Sequence, residues 1–229
     1  MEPRLILFDI DQTLVFTAGA GMRCLARAFR EVCGAGLDGV VPDGRTDPAL
    51  VREGLHRADV PFRTWPAREA EILERYVEYL EEDLAVHDPA RHLKPGVGDL
   101  LEALEAASWA RLGLLTGNLE VTGRMKLRAL GIDRYFPVGG FASDCSDRCR
   151  LGSVALERAR RHYGIPFEPS QVWVLGDTVH DVQAAHAMGA RAMAVATGRY
   201  PVEHLLQSGP AAALEDLSDL PRTLSILQA

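Results

Sequence analysis

Lysine is nearly missing from this chain of 229 residues. It occurs only at positions 94 and 126, and arginine supplies the rest of the 25 basic residues. Chemistry that needs an amine therefore has two candidates. There is no basic run, and the net charge is −7, so neither a nucleic-acid face nor attachment to an anionic membrane is expected. Cysteine is sparse as well. Cys24, Cys33, Cys145 and Cys149 have no neighbouring Cys or His at zinc-ligand spacing. Cys145 and Cys149 could form a redox pair, but they read as ordinary cytosolic thiols. No segment approaches the roughly 20 apolar residues of a membrane span. The apolar run at the N-terminus is broken by Asp9 and is too short for a secretory leader, so a cytoplasmic location is the expectation.

What the chain does have is enough apolar material, 47%, to bury a core in one domain or in one domain with an insertion. The organising stretch is Leu5-Ile6-Leu7-Phe8-Asp9-Ile10-Asp11-Gln12-Thr13-Leu14. Four apolar residues read as a short strand buried on both faces, and two aspartates stand where it ends. Residues two apart in extended chain point to one side. Two carboxylates sharing a site repel unless a cation or proton intervenes, so this pair points to a divalent metal. The plainer alternative is a strand followed by an Asx-type turn.

The same pattern recurs later. Leu112 to Leu115 ends at Thr116-Gly117-Asn118. Val172 to Leu175 ends at Gly176-Asp177-Thr178, with Asp181 beyond. Ala192 to Val195 ends at Thr197-Gly198. Helical spacing fills the intervals near 98–108, 119–130, 152–163 and 180–188, several of them closing on a glycine. Residues 16 to about 92 differ: they read as all helix, near 22–33, 48–58 and 66–86, with no strand signal. The fold class expected is therefore α/β: a Rossmann-like parallel sheet core with helices on both faces and an inserted all-helical cap. Residues 1–15 and 93–229 would form the core, and 16–92 the cap. In such sheets ligands bind beyond the carboxyl ends of the strands, which gathers Asp9, Asp11, Thr116, the loop around Arg148, Asp177 and Asp181 at one edge.

With these motifs in this order, the chain resembles the haloacid dehalogenase superfamily of phosphohydrolases, especially its phosphoglycolate-phosphatase-like members. The resemblance spans most of the chain, cap insertion included. It implies a Mg²⁺-dependent phosphatase acting on a small phosphorylated metabolite, with Asp9 as nucleophile forming an aspartyl-phosphate. Asp11 would be the general acid and then the base. Thr116 and the amide of Gly117 would hold the phosphoryl group, and Asn118 would cap the following helix. Asp177 would hold Mg²⁺ with Asp9 and the backbone carbonyl of Asp11, and Asp181 would stand in the outer shell. Arg45, in a cap loop, could read a substrate carboxylate. Phe62 and Trp65 are expected in the cap core, and His180 in solvent.

The chain departs from the family pattern twice. A lysine is usual at the third motif, and here none follows Lys126. Aligning the following helix puts Cys149 there, between Arg148 and Arg150, and Arg148 is the residue expected to bridge phosphoryl oxygens and a carboxylate. Lys126 is expected to face solvent from its helix. Gln12 stands where glycine is usual, and a positive φ there would strain it. A phosphomutase, or a catalytically weak binding or regulatory module, are the alternative readings. Substrate and oligomeric state are left open.

Overall fold

The computed structural model describes residues 2–229. β1 (Arg4–Phe8) lies at the centre of a six-stranded sheet. It is followed by β2 (Val15–Phe16), α1 (Ala20–Cys33), α2 (Asp47–Arg57), α3 (Trp65–Ala85) and β3 (His92–Leu93). The alternating part then runs α4 (Val97–Ala106), β4 (Ala110–Leu115), α5 (Glu120–Ala129), β5 (Gly139–Gly140), α6 (Arg148–Tyr163), β6 (Val172–Gly176), α7 (Val179–Ala187), β7 (Arg191–Val195), α8 (Val202–Leu206), β8 (Ala212–Leu214) and α9 (Leu220–Gln228). The sheet order is β5-β4-β1-β6-β7-β8, and every pairing within it is parallel.

Strand alternation builds two cores. Ile6 and Phe8 point to the face shared with Leu112, Leu114, Trp173 and Leu175 and covered by α4 and α9. Leu5 and Leu7 point to the opposite face, with Val172, Val174, Leu151, Ala155 and Val182, covered by α6 and α7. A third core is formed by α1, α2 and α3 through Leu25, Phe29, Leu50, Leu55, Ile72, Tyr76 and Leu80. Thr46 caps α2, accepting from the Ala49 N–H, with Pro48 in the first turn. Gly34, Gly131 and Gly164 all take positive φ where α1, α5 and α6 stop.

The stretch expected to be wholly helical is bounded by sheet. β2 and β3 pair antiparallel, Val15 with Leu93 and Phe16 with His92. Two-residue strands so far apart in sequence carry no periodic signal, so only the pairing itself reveals them. α6 also starts four residues earlier than its apolar spacing indicates, because Asp147 accepts the Cys149 N–H and caps it. Arg148 is thereby on a helix rather than in a loop. Phe62 is 78% exposed and lies outside the core of α1–α3. It lies against Trp65 at a tilt of 55°, and the Trp65 indole N–H donates to the Val60 carbonyl. No helix among the described residues is long and apolar enough to cross a membrane.

Candidate active site

β1 and β6 are hydrogen-bonded neighbours, so the residues just past them lie side by side. The ladder runs on for one more bond, from the Asp9 N–H to the Leu175 carbonyl at 2.9 Å. Asp9 and Asp177 are thus held together by backbone pairing. Asp181 joins them from the first turn of α7, where its Oδ2 accepts from the N–H (3.0 Å) and hydroxyl (2.7 Å) of Thr178, a capping box. Oxygens of Asp9, Asp177 and Asp181 all lie within 4.8 Å of one another, and all three residues are buried.

One guanidinium answers this charge. Arg148 Nη2 lies 3.0 Å from Asp9 Oδ1 and also pairs with Asp181, while Nη1 donates to the Gly44 carbonyl at 2.9 Å. Its Nε has no hydrogen-bond partner among the described residues. Arg150 is exposed. Burial outweighs the pull of Arg148 and, with Asp181 and Asp11 adding repulsion, raises the Asp9 carboxyl to about 6. Asp177 rises to about 8, through burial and then through Asp181 and Asp9, against a Thr13 hydroxyl bond at 3.2 Å. Three buried carboxylates against one guanidinium leave an excess of negative charge. A set of oxygen donors with that excess fits a hard divalent cation.

The loop after Asp9 is tight. Leu14 and Val15 both donate to the Ile10 carbonyl, and Gln12 takes φ 63, the left-handed conformation in which a side chain is strained. The Lys94 ammonium donates to the Gln12 side chain (3.1 Å), and the Thr197 hydroxyl to its carbonyl (2.6 Å).

Asn118 does not cap α5. The amide of Leu119, at the start of that helix, is taken instead by the buried Asp47 carboxylate at 3.1 Å. Asn118 turns inward, where Nδ2 donates to Asp11 Oδ2 (2.9 Å) and to the Thr116 hydroxyl (2.8 Å). Lys126 does not face solvent either. It is 3% exposed, and Nζ is 2.6 Å from both Asp11 Oδ2 and Asn118 Oδ1. A lysine on a predicted helix reads as a solvated charge, and only the approach of α1 and α3 buries it. The glycine that makes room for it is Gly21 of α1, where a Cβ would stand 3.0 Å from Nζ.

These residues line one cavity of about 460 Å³ whose walls come from both the sheet edge and α1–α3. Asp9, Asp11, Gly117, Asn118, Lys126, Arg148 and Asp177 form its floor, and Met22, Leu25, Leu50 and Tyr76 its apolar side. Arg45 stands at the wall, but its guanidinium is engaged by Glu53 and the Ala49 carbonyl. His180 is half-buried against Gly44, which has φ 67 and sits so near Thr178 and His180 that a Cβ would collide with both. The segment 43–47 is fastened to the sheet edge. The Asp47 N–H donates to the Gly117 carbonyl, the Thr46 hydroxyl to the Ser146 carbonyl, and Arg199 and Tyr200 hold Asp43.

Comparison with known proteins gives a consistent picture. The profile of haloacid dehalogenase-like hydrolases matches residues 3–189. The phosphoglycolate phosphatase of Synechococcus elongatus is 30% identical over 223 residues, covering 97% of each chain. The tyrosine-protein kinase PtkA of Mycobacterium tuberculosis is 28% identical over 198 residues. That match takes in 86% of this chain but only 63% of the relative's length. Among solved structures, one described as a predicted phosphoglycolate phosphatase from Haemophilus somnus superposes with a TM-score of 0.71. It has 20% identity and covers 98% of this chain and 99% of its own, a likeness of fold.

Proposed function

We propose that this chain, which belongs to the haloacid dehalogenase-like hydrolase family, is a phosphoglycolate-phosphatase-like phosphoric monoester hydrolase. From that premise we propose that it hydrolyses the phosphomonoester of a small metabolite, Mg²⁺-dependently, through an aspartyl-phosphate on Asp9. The observation that carries this is the meeting of Asp9, Asp177, Asp181 and Arg148 at one end of the parallel sheet, where Asp9, Asp177 and Arg148 line a cavity sized for a small molecule.

Asp9 attacks phosphorus, and the bond to the ester oxygen breaks as Asp11 gives that oxygen a proton. Water then attacks the phosphorus of the aspartyl-phosphate. Asp11 takes the water's proton, and phosphate leaves as Asp9 regains its carboxylate. Arg148 keeps the Asp9 oxygen in place and offers positive charge to the phosphoryl oxygens. Thr116, whose hydroxyl accepts from the Asn118 side chain, and Gly117 border the site of transfer. Asp9, Asp177 and the backbone of Asp11 would hold Mg²⁺, and Asp181, its oxygens already engaged, would fix the surroundings. Bound there, the ion would offset the charge of carboxylates and phosphate as they meet. The segment 16–92 is read as a cap that closes over the substrate and excludes bulk water.

The phosphatase relative matches from end to end, so hydrolysis rather than transfer to a protein is the activity proposed. Phosphate release from phosphoglycolate, sugar phosphates and nucleotides, with Mg²⁺ and with chelator, tests it. Turnover that needs Mg²⁺ and is lost in Asp9→Asn supports the reading. Isomerised phosphosugar without free phosphate would make the protein a mutase. Metabolite binding without turnover across the panel would make it a binding module.

A further inference from the structure

Among the described residues, Lys126 is the one buried cation for which the chemistry above has no use. Its Nζ and the Asn118 amide both donate to Asp11 Oδ2, at 2.6 and 2.9 Å. The same Nζ holds Asn118 through Oδ1 at 2.6 Å. One carboxylate oxygen is therefore pinned twice, and the two groups that pin it are pinned to each other. The other oxygen, Oδ1, takes no bond from the described residues, although Asp11 lines the cavity and its side chain is 39% exposed.

The housing of the lysine belongs to the inserted helices. Gly21 of α1 passes so near that a Cβ there would stand 3.0 Å from Nζ and 3.5 Å from the hydroxyl of Tyr76 on α3. Lys126 itself comes from α5, after β4. The pair with Asp11 is thus sheltered from water only while α1 and α3 rest against the sheet edge. The lysine end of the pair is buried while Asp11 reaches the cavity, and shielding one partner strengthens the attraction over that of a pair exposed on both sides, where hydration competes.

We propose that Lys126 is a positioning residue for Asp11: with Asn118 it locks Oδ2 and presents Oδ1 to the substrate's ester oxygen, and it does so only when α1 and α3 are seated. This rests on the role given to Asp11 above. It assigns a further residue to the reaction and ties the seating of the helices to the geometry of proton transfer. A displacement of about 1 Å at such a group costs on the order of 100-fold in rate.

The test is a double-mutant cycle on turnover of an aryl phosphate with Mg²⁺, a substrate whose good leaving group keeps Asp11→Asn measurable. Lys126→Met should lower kcat about 100-fold and leave KM within about twofold. In the Asp11→Asn background the same change should cost less than about twofold, because the group it positions is gone. Gly21→Ala, which crowds Nζ without removing it, should lower kcat in the same sense but less. Losses that multiply in the double variant, a raised KM with unchanged kcat, or full activity in Lys126→Met would each overturn the proposal.

A second readout needs no turnover. The Lys126 ammonium should give a slowly exchanging ¹⁵N signal in the unliganded protein that shifts in Asp11→Asn. A folded protein without that signal refutes the pairing. If wild type released no phosphate from any ester, the phosphatase reading would fail by itself, and the ammonium signal would still decide whether Lys126 holds Asp11.

Discussion

Arg148 and Asp9 are joined at 3.0 Å across the sheet edge, and the same guanidinium reaches Asp181 at the start of α7. One cation therefore fixes the orientation of Asp9, the proposed nucleophile, against the element that carries the rest of the acidic cluster. Arg148→Ala would leave two buried carboxylates without a counter-charge. Breaking a buried pair from one side costs about 3–5 kcal/mol, so thermal melts should show a large loss of stability, with phosphate release falling at least about 100-fold. Arg148→Lys keeps the charge but loses the fork that reaches both acids and Gly44, and should recover stability more than activity. Activity within about twofold of wild type in Arg148→Ala would show that this cation is not part of the reaction.

Gly198 packs directly on the Asp177 carboxylate, and a Cβ there would meet Asp177 Cγ at 2.8 Å. Gly198→Ala should push the carboxylate out of the cluster and weaken the apparent Mg²⁺ affinity by about 10–100-fold, the usual cost of disturbing a ligand's support. A Mg²⁺ titration of activity measures this directly. An unchanged midpoint would exclude Asp177 as a ligand.

Asp177 also sets a pH dependence. Its carboxyl is raised from 3.8 to about 8 in the metal-free fold. The folded protein therefore keeps a proton that the unfolded chain has shed, and this contribution to stability declines as pH rises through that window. If Asp177 is a Mg²⁺ ligand as proposed, the ion displaces this proton, so the Tm gained on adding Mg²⁺ should be small near pH 5.5 and grow toward about pH 8. Melts with Mg²⁺ and with chelator at both ends of the range give the comparison. A gain that does not change with pH would refute the coupling.

Asp47 fastens α2 to the first turn of α5, accepting the Leu119 N–H at 3.1 Å. Burial lifts its carboxyl to about 6 against the pull of Lys126 and the Leu119 bond. By the same sign rule, its stabilising contribution is present at low pH and is lost as pH climbs from about 4 to about 6. Asp47→Asn keeps an acceptor for Leu119 and removes the titration. It should match wild type near pH 4 and exceed it above about pH 6 by on the order of 2–3 kcal/mol. Asp47→Ala should be destabilised at every pH. Denaturant melts of the three proteins across this range settle the sign.

Gln12 occupies a left-handed backbone at φ 63 while its side chain accepts from Lys94. Gln12→Gly relieves roughly 1 kcal/mol of backbone strain and forfeits a hydrogen bond of about the same worth, so its stability should stay within about 1 kcal/mol of wild type. Gln12→Val, β-branched and without the acceptor, should be clearly destabilised. Equal melting of all three would mean that the loop does not hold this conformation in solution.

Much of this protein was legible from neighbouring residues alone. Apolar runs with polar ends located β1, β4, β6 and β7, and the 3.6 period located α1, α3, α4 and α5, because each depends on hydrogen bonds and burial repeating over a few residues. The parallel order of the strands followed from their alternation with helices, and so did the meeting of Asp9 and Asp177 at one edge. The fate of single polar side chains did not follow. Lys126 and Asp11 are 115 residues apart, and Leu119 is capped by an acid 72 residues earlier. Phe62 looks like core material yet lies in water, and the β2–β3 pair is too short to leave a pattern. Local periodicity records which way a residue faces on its own element. Which partner it meets there depends on how separate elements pack, and that is a property of the assembled chain.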